Sequence, residues 1–279
     1  MMSRLQRYAA KAAAALTAGV FLCIAAYILA RGIPHLTWEL FALRYTSSNV
    51  SMFPAIINTL IMTLLALFIA VPVGVCSAIY LVEYARRGSR LVSVVRMAAE
   101  TLSGIPSIVY GLFGMLFFVI FLRLGLSLLS GALTLSIMTL PLILRTTEEA
   151  LKAVPDSYRE GSFGLGAGRL RTVVRIVLPS AAHGILAGVI LAVGRIVGET
   201  AALIFTAGTV ANLPKGLLSS ARTLSVHMYV LSSEGLFMDQ AYATSVIILL
   251  VVFGINSLSG ALANSIAKGN GKYGKDQHP

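Results

Sequence analysis

Arg195 and Glu199 stand four residues apart in GRIVGETAAL, Gly194 to Leu203, a stretch otherwise made of small and apolar side chains. Four residues are about 40° around an α-helix, so on a continuous helix the two groups lie within ion-pair reach and can neutralise each other. The chemistry open to such a pair is anion recognition. A guanidinium is planar and always charged and binds oxyanion oxygens in pairs, whereas a neighbouring carboxylate can hold it in place and keep the bare charge from trapping the ion. Thr200 adjoins the pair and is grouped with it. An ionised side chain at the centre of a bilayer costs at least about 2.5 to 3.5 kcal/mol, so such residues face protein or a watery path and mark a function. The alternative is a buried salt bridge that fixes helix packing. Gly194 and Gly198 form a small-xxx-small face beside the charges, which lets another helix approach closely and agrees with both readings.

A second set of residues reads EEALKAVPDSYREGSFGLGAGRLRTVVRIVLPSAA, Glu148 to Ala182. Pro155 can open a short helix through about Phe163, because the first turn needs no proline N–H. Gly164, Gly166 and Gly168 would end it and permit a sharp turn. Leu170 to Ile176 follows as a basic amphipathic stretch, and Pro179 sits where the next long helix should begin. A short helix bounded by glycines and joined rigidly to a membrane helix works as a lever. A push on residues 155 to 166 tilts the helix that follows.

The elements that must carry these residues are membrane helices. Of the 279 residues, 57% are hydrophobic and 12% charged, and the mean hydropathy is +0.85. That is outside the range of soluble domains. A crossing helix needs about 20 apolar residues. Suitable runs extend from Ala12 to Ala30, Ala55 to Val82, Thr101 to Leu122, Leu124 to Leu144 and Ala241 to Ala267, and a sixth from about Ala181 to Ala207 holds Arg195 and Glu199 near its middle. The segment from Asn212 to Gln240 mixes apolar and polar residues and reads either as a short interfacial helix or as an ordinary loop.

Charge sets the orientation. Sixteen Lys and Arg residues fall in the N-terminal tail, the second and fourth connections and the C-terminal tail, against five on the other side: Arg31, Arg44, Arg123, Lys215 and Arg222. The positive-inside rule then puts both termini in the cytoplasm, with residues 1–11 and 268–279 as tails, residues 12–267 as one transmembrane domain and 148–180 as its cytoplasmic loop. The same rule accounts for the net charge of +11 without nucleic acid, for which no binding module is present. The first apolar run is too long for a signal-peptide core. Cys23 and Cys76 lie inside apolar runs, so a disulfide framework is not expected, and no metal-ligand cluster is read.

In the cytoplasmic loop, Glu160, Gly161, Ser162, Gly166, Ile176, Leu178 and Pro179 fall at the spacing of the EAA loop of ABC importer permeases, which this chain resembles. Gly161 and Ser162 stand where the family has two alanines; both are small. PAIINTLIMTLLALFIAVPVGVCSAIYLVEYA (Pro54–Ala85), SGIPSIVYGLFG (Ser103–Gly114) and GRIVGETAAL are similar to the phosphate-specific branch, and RTTEEAL before the loop is more like its PstA-type than its PstC-type members. The resemblance implies an all-α fold of six transmembrane helices, the type I importer permease fold, with a coupling helix between the fourth and fifth. It implies that Pro155, Tyr158, Arg159, Glu160, Gly161, Ser162 and Gly166 meet a separate PstB-type ATPase, which alone binds ATP and Mg²⁺. The other partners it implies are a PstC-type permease and a PstS-type external phosphate-binding protein, in a bacterial inner membrane. No G-x-x-x-x-G-K-[ST] occurs in the chain, as expected for a subunit that is not itself an enzyme. Another oxyanion, sulfate or molybdate, stays open as substrate. An ion-coupled secondary transporter would leave the loop without a role, and an intramembrane enzyme lacks H-E-x-x-H and G-x-S-x-G.

Overall fold

A computed structural model describes residues 4–86 and 88–273. Those residues form helices joined by turns and irregular segments, the longest from 207 to 223, and five helices are long and apolar enough to cross a membrane. The first, α1 (Arg4–Gly32), is followed by two short 3-10 turns. Next come α2 (Phe53–Ile79), α3 (Arg90–Ser103) and α4 (Ser107–Gly114). The long α5 (Leu128–Lys152) leads to α6 (Asp156–Gly164) and α7 (Arg169–Thr172), and α8 is Leu178–Val197. The chain ends with α9 (Ala201–Thr206), α10 (Leu224–Glu234) and α11 (Met238–Tyr273). Helix therefore covers 4–11 and 268–273 of the segments read as tails.

Three helices contain a stretch of wider π geometry. One, Tyr80–Tyr84, ends α2; another, Met115–Phe121, continues α4; the third, Val173–Val177, links α7 to α8, so that Arg169–Val197 forms one span.

The third expected span is not one helix from Thr101 to Leu122. Residues 90–103 and 107–121 meet at a bend of 104°. Pro106 supplies the reason: it has no N–H to donate and forces Ile105 before it out of helical backbone. The expected helix from Ala181 to Ala207 is likewise broken after Val197, and its first turns begin earlier, at Arg169 rather than at Pro179. In the other direction α5 runs past Leu144 to Lys152, lifting Arg145, Glu148 and Glu149 out on a continuous helix. The segment after residue 212 does hold a helix, α10, which buries Leu224, Val226, His227 and Leu231.

The core lies along α5. Met62 and Ala66 of α2, Leu135 and Met138 of α5, and Leu203 of α9 are buried together. Hydroxyls let polar residues sit here by bonding to backbone: Ser136 Oγ donates to Ala66 O of α2 at 3.0 Å, and Thr139 donates back to Leu135 O at 2.8 Å. On the other side α8 comes close to α5 through two glycines. A Cβ at Gly184 would lie 2.6 Å from that of Ala150, and one at Gly188 would lie 2.0 Å from Thr146 Oγ1. In lipid, where apolar side chains gain little from leaving one membrane environment for another, such backbone approach is what holds helices together.

Candidate functional site

The loop between the fourth and fifth spans is an ordered strut. Pro155 precedes α6, and Asp156 puts an acid in its first turn, where the positive end of the helix dipole favours it. At the other end Gly166 has φ +80°. Its amide donates to Phe163 O at 2.9 Å and that of Ala167 to Ser162 O at 3.1 Å. This is the Schellman arrangement, which needs a left-handed residue at the position Gly166 occupies and so accounts for the motif's glycine. Ser162 is buried, with its hydroxyl 2.8 Å from that of Thr172 on α7. The second alanine of the family motif is thus replaced by a group that ties α6 to the start of the next span.

Arg159 is the centre of the strut's other attachment. It is only 14% exposed. Nη2 donates to Glu83 Oε1 at 2.8 Å and Nε to the same oxygen at 3.1 Å. Nη1 donates to Val154 O at 2.8 Å and Nη2 to Leu151 O at 2.9 Å, at the end of α5, and Asp156 Oδ1 accepts from Nη1 at 3.2 Å. Glu83, 8% exposed, comes from the π turn that ends α2. Tyr158, Glu160, Gly161, Phe163 and Leu165 are exposed around the loop, the last to 91%.

Arg195 is half-buried and lines a cavity of about 360 Å³ shared with Arg96, Arg145, Glu148, Glu149 and Lys152. Glu148 is buried there between two cations, 2.5 Å from Arg96 and 2.7 Å from Lys152, and Arg145 pairs with Glu149 at 3.3 Å. Among the described residues Arg195 has no ion-pair or hydrogen-bond partner. The expected Arg195–Glu199 bridge is not formed. The helix ends at Val197, and the carboxylate of Glu199 instead accepts the amide of Ala202 at 3.1 Å, capping the first turn of α9. Ser225 Oγ of α10 secures the break by donating to Glu199 O at 2.6 Å. Thr200 lies in the break, partly exposed, with its hydroxyl 3.4 Å from Gly198 O. A continuous helix was the premise of the pairing, and Gly198 with Thr200 removes it.

The close helix contacts fall at Gly184 and Gly188, not at Gly194 or Gly198. A Cβ at Gly194 would meet open space, and one at Gly198 only the carbonyl of Gly194 at 3.6 Å. Three further polar groups went unread in the sequence. Glu83 and Glu148 each lie near the end of an apolar run, where an acid is the signal. Asn58, buried within α2, donates to Arg222 O at 3.1 Å. Arg222, itself buried, donates to Thr209 O at 2.8 Å, and its Nη1 lies 3.3 Å from His227 Nδ1. Burial, and next the charge of Arg222, lower the His227 pKa to about 4. These groups knit the segment after α9 to α2 and α10.

A helical bundle of broken and long spans, with an ordered strut between the fourth and fifth, defines a permease of the type I ABC importer class. Its fold is similar to that in the crystal structure of a bacterial alginate ABC transporter, with a TM-score of 0.69 over 95% of this chain and 97% of that one, at 17% identity. The family model "Binding-protein-dependent transport system inner membrane component" matches residues 70–269. The chain belongs to that family, as a multi-pass inner-membrane subunit. It is 31% identical over 273 residues to the "Probable ABC transporter permease protein YqgI" of Bacillus subtilis, covering 91% of this chain and 92% of that protein. It is 35% identical over 234 residues to the "Phosphate transport system permease protein PstA 2" of Mycobacterium tuberculosis, covering 81% and 77%.

Proposed function

We propose that this chain is the PstA-type permease subunit of an ATP-driven phosphate importer and forms half of the pathway for the anion. A relative at 35% identity carries that name, and the observation that carries the reading to this molecule is Arg195: a half-buried guanidinium that faces a cavity and has no ion-pair partner among the described residues, although Glu100, Glu148 and Glu149 also line that cavity. Phosphate is hydrated and anionic at neutral pH, so a path through lipid must replace its water with donors and lower its electrostatic barrier. An unpaired guanidinium does both, offering a planar fork of N–H groups and a full charge. Glu199 serves this path by shaping the break after α8, and Thr200 adds a hydroxyl at that break.

The remaining parts belong to the same proposal. The exposed face around Tyr158, Glu160 and Gly161 receives a PstB-type ATPase, which holds the ATP and Mg²⁺; this chain binds neither and performs no catalysis. A PstC-type permease completes the pathway, a PstS-type protein delivers phosphate from outside, and both termini face the cytoplasm.

The test is uptake of labelled phosphate, against sulfate and molybdate, by the whole complex reconstituted in vesicles with and without Arg195→Gln. Phosphate uptake is expected to vanish in the variant while the subunits still co-purify. Full uptake by the variant would remove Arg195 from the pathway, and preference for sulfate or molybdate would reassign the substrate.

A further inference from the structure

We propose that α6 is a strut pinned at both ends and that Glu83 is the positioning residue for coupling, because it ties the strut to α2. This rests on the reading above that an ATPase docks on α6. The two ends of α6 are attached to different parts of the membrane bundle. Near its start, Arg159 reaches the carboxylate of Glu83 at the end of α2 and the carbonyls of Leu151 and Val154 at the end of α5. Near its finish, Ser162 meets Thr172, whose helix runs through a π turn into α8. The cavity with Arg195 shares two of these helices: α5, with α3, forms most of its lining, and α8 contributes Arg195.

The geometry assigns distinct work to each bond. The carbonyls of Leu151 and Val154 hold Arg159 to α5 alone, at two points close together on one chain end, which is a pivot. Glu83 adds a third point 76 residues away in sequence, on another span. With three points the strut is fixed in angle, so a displacement of α6 must move α8 relative to α2 and α5 and change the width of the cavity. With the pivot alone, α6 can rotate about the end of α5, and less of the displacement is passed to α8 through Ser162 and Thr172. Arginine is required because two nitrogens of one fork bond the same carboxylate while the fork also serves the carbonyls; a lysine ammonium has no such plane. A buried ion pair is no guarantee of stability, since desolvation offsets its attraction. Its retention between the loop and α2 is accounted for by transmission of force.

The experiment uses the whole complex in vesicles and measures phosphate uptake and ATP hydrolysis on the same preparation, for wild type, Glu83→Gln and Arg159→Lys. Glu83→Gln keeps the size and one acceptor but removes the charge. Removing one partner of a buried pair leaves the other uncompensated, and the expected result is an assembled complex with hydrolysis within about twofold of wild type and phosphate moved per ATP lower by about tenfold or more. Arg159→Lys, which keeps the charge but loses the fork, is expected to lower the ratio in the same direction. An unchanged ratio in assembled Glu83→Gln, or uptake and hydrolysis falling in parallel, overturns the proposal. Should Glu83→Gln fail to assemble, Arg159→Lys decides by the same criteria, and failure of both to assemble makes the pair a folding bridge and overturns the proposal too. Docking is checked separately by cross-linking a cysteine at Tyr158 to the ATPase in the otherwise wild-type chain. Without a cross-link the docking reading fails; with a cross-link and an unchanged ratio only the strut fails.

Discussion

Gly161 and Gly166 stand five residues apart in the same loop, and alanine at each should act with opposite sign. A Cβ at either position would meet open space, so sterics drop out and only backbone conformation remains. Gly161 lies inside α6, where alanine gains about 1 kcal/mol of helix propensity. Gly166 is at φ +80°, where an L-residue costs about 1 to 2 kcal/mol. Part of that cost is offset by a stiffer unfolded chain, worth about 0.4 to 1 kcal/mol, so Gly166→Ala should destabilise α6 by about 1 kcal/mol. The two variants then differ by about 2 kcal/mol in the free energy of opening α6, or about 30-fold in the exchange rates of its amides, if exchange follows local opening. Hydrogen exchange on the purified complex reads this directly, at the amides of Leu165, Gly166 and Ala167, which are bonded into the helix end. Slower exchange for Gly161→Ala and faster for Gly166→Ala is expected. Equal protection by both would mean that the left-handed turn does not govern how α6 ends.

Two more outcomes follow from packing and burial. Gly188→Ala places a Cβ against Thr146 on α5 and should cost about 1 to 3 kcal/mol as an overpacked contact, lowering the thermal midpoint, whereas Gly194→Ala, inside the same helix with its Cβ in open space, should raise it through helix propensity; equal shifts would mean that α8 does not lean on α5 at Gly188. His227, with a pKa of about 4 in the folded protein, is depressed below its unfolded value of about 6.5. The unfolded chain therefore takes up the proton first, and stability is lost as pH falls from 6.5 towards 4, by about 2 kcal/mol between pH 7 and 5. Thermal melts of wild type and His227→Gln across that interval check this, and an equal pH dependence in both would remove His227 as its source.

Much of this arrangement was legible in the residues. Apolar runs announce crossing helices because nothing else satisfies backbone groups in hydrocarbon, and the spacing from Glu160 through Gly166 to Pro179 announces the loop. Gly166 could even be assigned its turn. What escaped was where the membrane helices stop. Pro106 was in view, yet an apolar run crossing it looked continuous, and the same assumption paired Arg195 with Glu199 across a break that Gly198 and Thr200 create. Partners distant in the chain were also hidden. Arg159 could be placed on the loop, but Glu83 is 76 residues earlier, and no local period links them. Likewise the tight glycines of α8 proved to be Gly184 and Gly188, because helix rotation, set by the whole bundle, decides which small residue faces a neighbour.

The wider turn that ends α2 has a further consequence. A π turn holds one residue more than the regular helix would, and each residue of an α-helix advances the chain by about 100°. Trimming a single position from Tyr80–Tyr84 would let α2 finish in ordinary register and would carry the carboxylate of Glu83 about a quarter-turn or more round the axis. The surplus residue thus aims an acid at the loop while leaving every side chain before Tyr80 undisturbed, a local correction of bearing in an otherwise unbroken rod.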